Sequence, residues 1–304
     1  MMPLYKIMVQ NESTMELGAF LLKNGFSKQA INNAKNRGGM LIVNHKARYT
    51  NYRLHRGDEV IFVSGSELSN PWLKPSYERL EIVKETSNYL IIDKPAGLLS
   101  IPSRFDDNAV VNRVLGYFEQ HQMSSLKPHV ITRLDRDTTG LVLVGKNAIA
   151  HGRFSKLNKQ DFIKKYHAIV HGNFAKNELT GVIEAPIGRK NKEVKRSIDF
   201  VHGKKAVTVY RVLEQVPQAS LVELRLYTGR THQIRLHMQS IGHPLFGDPL
   251  YGINDQFDRQ ALNCCFLSFP DPFVKGKLVK VKASLAKDML KLWRQLSLND
   301  FTVK

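Results

Sequence analysis

The chain has 304 residues, 42% of them hydrophobic, enough to bury a sizeable core in one large and one small domain. Lys and Arg number 45 against 27 Asp and Glu, a formal net charge of +18 that favours a polyanionic partner through counterion release. No apolar run approaches the roughly 20 residues of a membrane helix, and the adjacent Cys264 and Cys265 are poorly placed to bridge each other or to hold a metal, so a cytoplasmic protein with no membrane role is expected.

Ser13-Thr14-Met15-Glu16 has the spacing of a capping box and precedes Leu17, Ala19, Phe20, Leu21 and Leu22, which predicts a short helix ending at Asn24-Gly25. A second helix starts at Ser27, carries Ala30, Ile31 and Ala34 at helical spacing and stops at Arg37-Gly38-Gly39. Met40 to Val43 and Glu59 to Val63 read as short strands. Residues 1–65 hold nine Lys or Arg against four acids, a basic face that is either simply solvated or a surface for nucleic acid. Residues 66–78, with Asn70-Pro71-Trp72 and Pro75-Ser76, are rich in turn formers and read as a linker.

From residue 79 the character changes. Leu80 to Val83 and Tyr89 to Asp93 read as strands, with Lys94-Pro95-Ala96-Gly97 as the turn that ends the second. Further strands at 168–170, 206–210 and 221–226, with few long helical patterns between them, predict a large, mixed, mostly antiparallel sheet in an α+β fold over 79–304.

Three segments in this half carry chemistry. In Arg133-Leu134-Asp135-Arg136-Asp137-Thr138-Thr139-Gly140 an acid sits at a tight polar turn just before the apolar run Leu141 to Val144. Such an acid is commonly an ordinary turn residue. The stretch also fits an Asp-x-Asp-x-Thr phosphotransferase pattern, but that pattern wants an apolar strand leading into the first acid, and here the apolar run follows it. In the second segment, Tyr227 to Pro244, Ile234, Met238 and Ile241 form the buried stripe of a helix stopped by Gly242 and Pro244, with polar groups on its other faces. His232 and His237 are five apart and fall on different faces, which argues against a zinc pair. The third segment is Lys164-Lys165-Tyr166-His167-Ala168-Ile169-Val170-His171-Gly172, where a strand tyrosine is commonly core or sheet surface.

With its flanks Val130-Ile131-Thr132 and Val144-Gly145-Lys146-Asn147, the first segment resembles the central motif of the RluA-type (ribosomal large subunit) pseudouridine synthases. The second, running on into Leu245-Phe246-Gly247-Asp248-Pro249-Leu250-Tyr251-Gly252, is similar to the family's later motif, and the third to its Lys-x-Tyr-x-Ala-x-Val-x-Gly strand. Weaker echoes lie at Lys204 to Glu214 and Arg259 to Pro270. Three positions depart from the family pattern: Thr132 and Asn263 stand where histidine is usual, and Cys264 where alanine is. The phrases Leu41-Ile42-Val43-Asn44-His45-Lys46 and Leu54-His55-Arg56-Gly57-Asp58-Glu59-Val60 look like an S4-type RNA-binding domain.

The resemblance implies an isomerase that detaches uracil from its ribose, rotates it and rejoins it through carbon. Asp135 would be the nucleophile, Arg235 the arginine that pairs with it and aims it, and Tyr166 the residue on which the extruded base stacks. Arg133, Arg136, Arg230, His232 and Gln233 would touch RNA around the site, and Lys23, Lys28, Lys35 and Arg37 would touch it from the small domain. The reaction calls for no cofactor and no metal. The expected partner is RNA, ribosomal with transfer RNA as the alternative, bound by a monomer. A catalytically silent RNA-binding assembly factor is the competing reading, motivated by Thr132 and Asn263.

Overall fold

The computed structural model describes residues 4–10, 14–68, 70–103, 106–123, 125–189 and 193–298. Their contacts group them into two compact units, the first drawn from 1–91, 101–133 and 143–157 and the second from 92–100, 134–142 and 158–304.

The first unit opens with β1 (Leu4–Met8), β2 (Met15–Glu16), α1 (Leu17–Lys23), α2 (Lys28–Asn36), β3 (Met40–Val43), β4 (Lys46–Ala47), β5 (Arg53–Leu54) and β6 (Glu59–Val63). It continues with β7 (Ile82–Glu85), β8 (Tyr89–Lys94), α3 (Val110–Gln120), β9 (His129–Val130), β10 (Thr139–Gly145) and α4 (Ala148–Phe154), of which β8 and β10 each give one half to either unit. An antiparallel sheet in the order β1-β6-β3-β4 carries the two short helices. α2 begins where Ser27 Oγ accepts the Ala30 N–H at 3.0 Å, the cap its sequence asks for. The cap expected at Ser13 lies outside the described residues, and α1 starts at Leu17 with no side-chain cap, because Met15–Glu16 pairs as a strand with Arg53–Leu54.

Leu17, Leu21, Phe26, Leu54 and Phe62 are buried together in this module, with the Phe26 and Phe62 rings 4.3 Å apart. The same core receives α4. Arg153 lies 5.2 Å from the rings of both Tyr5 and Phe26, and Asn147 Nδ2 donates to Tyr5 Oη at 3.1 Å. These contacts place α4 in the same compact unit as the small sheet. Residues 64–68 and 70–78 form no helix or strand, and Glu67 accepts the Ala148 N–H at 2.7 Å and meets His129 Nε2 at 2.8 Å.

The second unit adds β11 (Ile163–His171), β12 (Thr180–Glu184), β13 (Ile187–Gly188), β14 (Ser197–Ile198), β15 (Val207–Val216), β16 (Ala219–Leu226), α5 (Gln233–Ser240), β17 (Leu262–Pro270), β18 (Leu278–Lys282) and α6 (Lys287–Leu298). Its sheet runs β12-β15-β16-β11-β17-β10, with β18 also on β17. The pairs are antiparallel except β10 with β17, which is parallel, so the sheet is mixed and mostly antiparallel as expected. Gly140 makes the parallel pair possible: it has φ 106°, and a Cβ there would stand 2.3 Å from the Cys264 carbonyl oxygen.

Three helices, α3, α4 and α6, were not expected. In α3 the apolar positions Val110, Val111, Val114, Leu115 and Phe118 are buried on one face. In α6, Met289 and Trp293 complete a core cluster with Ile169, Val216, Ala219, Phe246 and Ala261, each large side chain contributing about 1.5–3 kcal/mol by its burial.

Candidate active site

The second unit holds the turn that presents Asp135. The turn is short, polar and backed by β10, so its carbonyls cannot find strand partners and side chains must satisfy them. Ser100 Oγ donates to Leu134 O at 2.9 Å and accepts the Leu134 N–H at 3.0 Å. Lys94, fully buried, donates its ammonium to Arg136 O at 2.7 Å and also to Pro95 O and Leu98 O. Arg259 Nη1 donates to Asp137 O at 3.0 Å while its Nε and Nη2 grip the Asp288 carboxylate of α6 at 2.6 and 2.8 Å. Thr138 closes the turn with its N–H on Asp135 O at 3.2 Å. Asp135 itself keeps a side chain 31% exposed at the end of this fastened loop.

α5 brings the arginine. Arg235 is 5% exposed and directs Nη1 to within 3.7 Å of Asp135 Oδ2. Its Nε and Nη2 each donate to one oxygen of the fully buried Asp248 at 2.6 Å. Asp248 also accepts the N–H groups of Leu250 and Tyr251, and the Tyr251 ring lies 5.3 Å from the guanidinium. Burial alone would raise the Asp248 carboxyl, but the pairing with Arg235 outweighs it and holds the group below the usual carboxylate value. Burial would likewise lower Arg235, and Asp248 reverses that.

Tyr166 arrives from β11. The register between β11 and β17 slips between Lys165 and Tyr166, a bulge that re-aims the side chain, and Tyr166 pairs opposite Cys264. Burial first, then the neighbouring Cys264 thiol and the Asp135 carboxylate, push its hydroxyl well above the ordinary tyrosine value. It is a neutral phenol at any physiological pH.

The other residues expected at the site divide. His232, with a left-handed φ of 58°, precedes α5 and sets its Nδ1 3.1 Å from the Tyr251 hydroxyl. Burial lowers the imidazole below the ordinary histidine value, although the Asp135 charge pulls the other way. Arg133 and Arg136 are exposed, and Arg136 Nε rests on Gly97 O at 3.3 Å. Arg230 is half-buried, with Nε on Lys205 O at 3.1 Å.

Gln233 is a correction. It is 2% exposed, accepts from Thr228 Oγ1 and the Arg230 N–H, and donates to Val207 O and Thr208 Oγ1, so its amide is committed to holding α5 against β15 and has nothing left for RNA. His237 on the same helix is also fully buried, between Thr208 Oγ1 at 2.8 Å and Ala185 O at 2.9 Å, while Gln239 and Ser240 at its end are exposed. Lys23, Lys28, Lys35 and Arg37 are all exposed on the first unit.

Two departures from the family pattern have structural work. Thr132 Oγ1 accepts the Leu143 N–H at 2.9 Å. Asn263 Oδ1 accepts from Thr139 Oγ1 at 2.7 Å and its Nδ2 donates to Ser284 O, tying β10 to β17. Sequence reasoning missed Lys94, Ser100, Asp248 and Arg259; the first two lie in what reads as an ordinary turn and its sequel, and the last two inside phrases noted only for their resemblance. Among the described residues no three His, Cys, Asp or Glu side chains stand together as metal ligands.

The second unit thus carries the Asp135 turn, the locked Arg235 and the buried Tyr166, with Arg235 facing the acid. The family model for RNA pseudouridylate synthases matches residues 88–240. An RNA pseudouridine synthase of Bacillus subtilis strain 168, YjbO, is 36% identical over 271 residues, spanning 88% of this chain and 94% of the relative. Ribosomal large subunit pseudouridine synthase D of Zymomonas mobilis is 37% identical over 239 residues, spanning 73% and 74%. The solved structure of human RNA pseudouridylate synthase domain containing 1 shares the fold, with TM-score 0.57, 24% identity and coverage of 73% of this chain and 96% of that one. The chain belongs to the RNA pseudouridine synthase family, in its RluA-type branch. It is an isomerase that converts uridine in RNA to pseudouridine.

Proposed function

We propose that Asp135 is the nucleophile of this reaction, with Arg235 facing its charge and Tyr166 holding the extruded base, and that the substrate is ribosomal RNA of the large subunit. The observation that carries the site assignment is the 3.7 Å approach of Arg235 Nη1 to Asp135 Oδ2 at the end of a turn whose carbonyls are held by three other side chains. The target uridine must leave its stack, at a cost of a few kcal/mol, and stacking on an aromatic ring returns roughly 1–3 kcal/mol. Asp135 then bonds to the uridine and the bond between N1 and C1′ breaks; the base turns, C5 joins C1′, the bond to Asp135 is released, and the C5 proton is lost while N1 gains one. The same acid serves addition at C1′ or at C6 of the base. Tyr166, kept as a phenol, can give and receive a proton during rejoining but cannot act as a standing base.

The substrate reading is supported by relatives named for the large ribosomal subunit and by the net charge of +18. Residues 1–65 act as an S4-like RNA-binding domain ahead of a 66–78 linker and a 79–304 catalytic domain, with Lys23, Lys28, Lys35 and Arg37 on RNA phosphates; Arg133, Arg136, Arg230 and His232 contact RNA nearer the site. The enzyme works as a monomer in the cytoplasm, where its RNA is. The test is to incubate the protein with unmodified ribosomal and transfer RNA transcripts and with assembling subunits, then map new pseudouridines. Native protein forms them in large-subunit RNA and Asp135→Ala forms none. Activity surviving in Asp135→Ala would remove the nucleophile assignment, and pseudouridine confined to transfer RNA would move the substrate.

A further inference from the structure

The Asp135 turn is held from two sides. Lys94 and Ser100 fasten its first half at Arg136 O and at Leu134. Its second half is taken in order by one later segment: Arg259 Nη1 donates to Asp137 O at 3.0 Å, Gln260 Nε2 donates to Thr138 Oγ1 at 3.2 Å, and Asn263 Oδ1 accepts from Thr139 Oγ1 at 2.7 Å. Two of these three lead on to the start of α6. Asn263 Nδ2 donates to Ser284 O at 3.1 Å, and Arg259 Nε and Nη2 each donate to a different oxygen of Asp288, at 2.6 and 2.8 Å. The third nitrogen of Arg259, Nη1, serves the carbonyls of Asp137, Gln260 and Leu262 at 3.0, 3.0 and 3.4 Å. The guanidinium therefore stands between the catalytic turn and the helix.

A guanidinium whose side chain is only 7% exposed needs an anion beside it, and Arg259 is paired with Asp288. Burial would raise the Asp288 carboxyl, but the pairing with Arg259 outweighs it and holds the group below the usual carboxylate value. Packing fixes where the acid stands. The next residue, Met289, is fully buried, and with Trp293 it docks α6 onto Ile169, Val216, Ala219, Phe246 and Ala261.

We propose that Asp288 is a positioning residue for the isomerisation, acting through Arg259 to set the Asp135 turn, so that the docking of α6 is felt at the nucleophile. The proposal rests on Asp135 being the nucleophile. The chain of contacts is short: Asp288 holds Arg259, Arg259 holds Asp137 O, and two residues back Asp135 O accepts the Thr138 N–H at 3.2 Å. Without the Asp288 charge the fork has no carboxylate to grip, and Nη1 loses the brace that points it at Asp137 O. A displacement of about 1 Å at a reacting group slows a reaction by about 10²-fold. The loss falls on kcat, because what moves is the nucleophile.

The experiment is Asp288→Asn, alone and combined with Arg259→Met, with steady-state kinetics on an RNA that the native enzyme modifies, at a temperature where circular dichroism shows each variant folded. Asp288→Asn is expected to lower kcat about tenfold with KM changed by less than about threefold. Because Asp288 acts through Arg259, the double variant should be no more than about threefold slower than Arg259→Met alone. A folded Asp288→Asn with kcat within about threefold of native, or with its loss in KM, overturns the proposal. So does a double variant slower than Arg259→Met by more than about threefold, since independent losses multiply. If Arg259→Met does not fold or is too slow to measure, Arg259→Lys, which keeps the charge and gives up the fork, takes its place in the cycle with the same expectations. If Asp288→Asn does not fold, Asp288→Glu is measured instead. It displaces the charge by one methylene, a fall in kcat of about threefold or more is expected, and a smaller fall overturns the proposal. Asp135→Ala separates the two readings: activity there removes the nucleophile, whereas an inactive Asp135→Ala beside an Asp288→Asn of native rate removes only the role of Asp288.

Discussion

Replacing Lys94 by methionine tests whether a buried cation fixes the catalytic turn. The substitution keeps an apolar stem of similar length and deletes an ammonium that donates to Pro95 O, Leu98 O and Arg136 O at 2.8, 2.7 and 2.7 Å from a fully buried position. Hydrogen bonds to a charged group contribute about 1.5–3 kcal/mol each, so the three together come to about 6 kcal/mol. The variant recovers several kcal/mol because no ammonium has to be desolvated, which leaves a net loss of about 3 kcal/mol. At about 2–4 °C per kcal/mol for a chain of this size, Tm falls by roughly 6–12 °C. The assay is thermal unfolding by circular dichroism, paired with the rate of pseudouridine formation at a temperature where both proteins are folded. The rate should fall too, because the Arg136 carbonyl beside Asp135 loses its anchor. A variant that melts within about 2 °C of native and modifies RNA at the native rate would refute the reasoning, leaving Ser100 and Arg259 as sufficient supports.

Two further outcomes follow from buried titratable groups. Burial lifts the Cys264 thiol to about 11 and the Cys265 thiol to about 12, so a thiolate-directed disulfide reagent at about pH 8 should react with neither until the protein unfolds; prompt stoichiometric release in native buffer would contradict this. Asp248 has a folded-state pKa below its unfolded value, so its stabilisation is complete above the ordinary carboxylate range and is lost as pH falls through the folded value. Urea unfolding from about pH 6 down to pH 2 should therefore show stability falling below about pH 4 more steeply in native protein than in Asp248→Asn, and parallel curves would sink the argument.

What could be read from the sequence depended on whether the signal was local. The α2 cap at Ser27, the strands 40–43 and 59–63 and the stop at Gly242 are set by neighbours a few residues away, and all stand where propensity puts them. Asp135, Arg235 and Tyr166 were named from three separate phrases, and of these the chain sets Arg235 Nη1 3.7 Å from Asp135 Oδ2. The supports were not legible. A lysine is ordinarily exposed, so nothing in Lys94-Pro95-Ala96-Gly97 announced a buried ammonium, and its acceptor on Arg136 lies 42 residues on. Gln233 was misplaced for the converse reason: in a polar phrase it looked available, and only the fold shows its amide spent on Thr228, Arg230, Val207 and Thr208. The spacing of Val110, Val111, Val114, Leu115 and Phe118 is a readable helical stripe that should have located α3. The packing of α4 against Tyr5 and Phe26 was not legible either, because it is a long-range fact that no window of sequence contains.

The fastening of the Asp135 turn has a consequence in time. Arg259 reaches Asp137 O across 122 residues, and Asn263 reaches Thr139 across 124. At about 5–20 residues per second, a ribosome that has just made Asp135 needs roughly ten seconds more before the residues that hold it exist. During that interval the small basic sheet at the front of the chain can already be folded, because its strands pair among themselves. The Asp135 turn therefore cannot be fastened until Arg259 and Asn263 have been made, well after the strands of the front sheet.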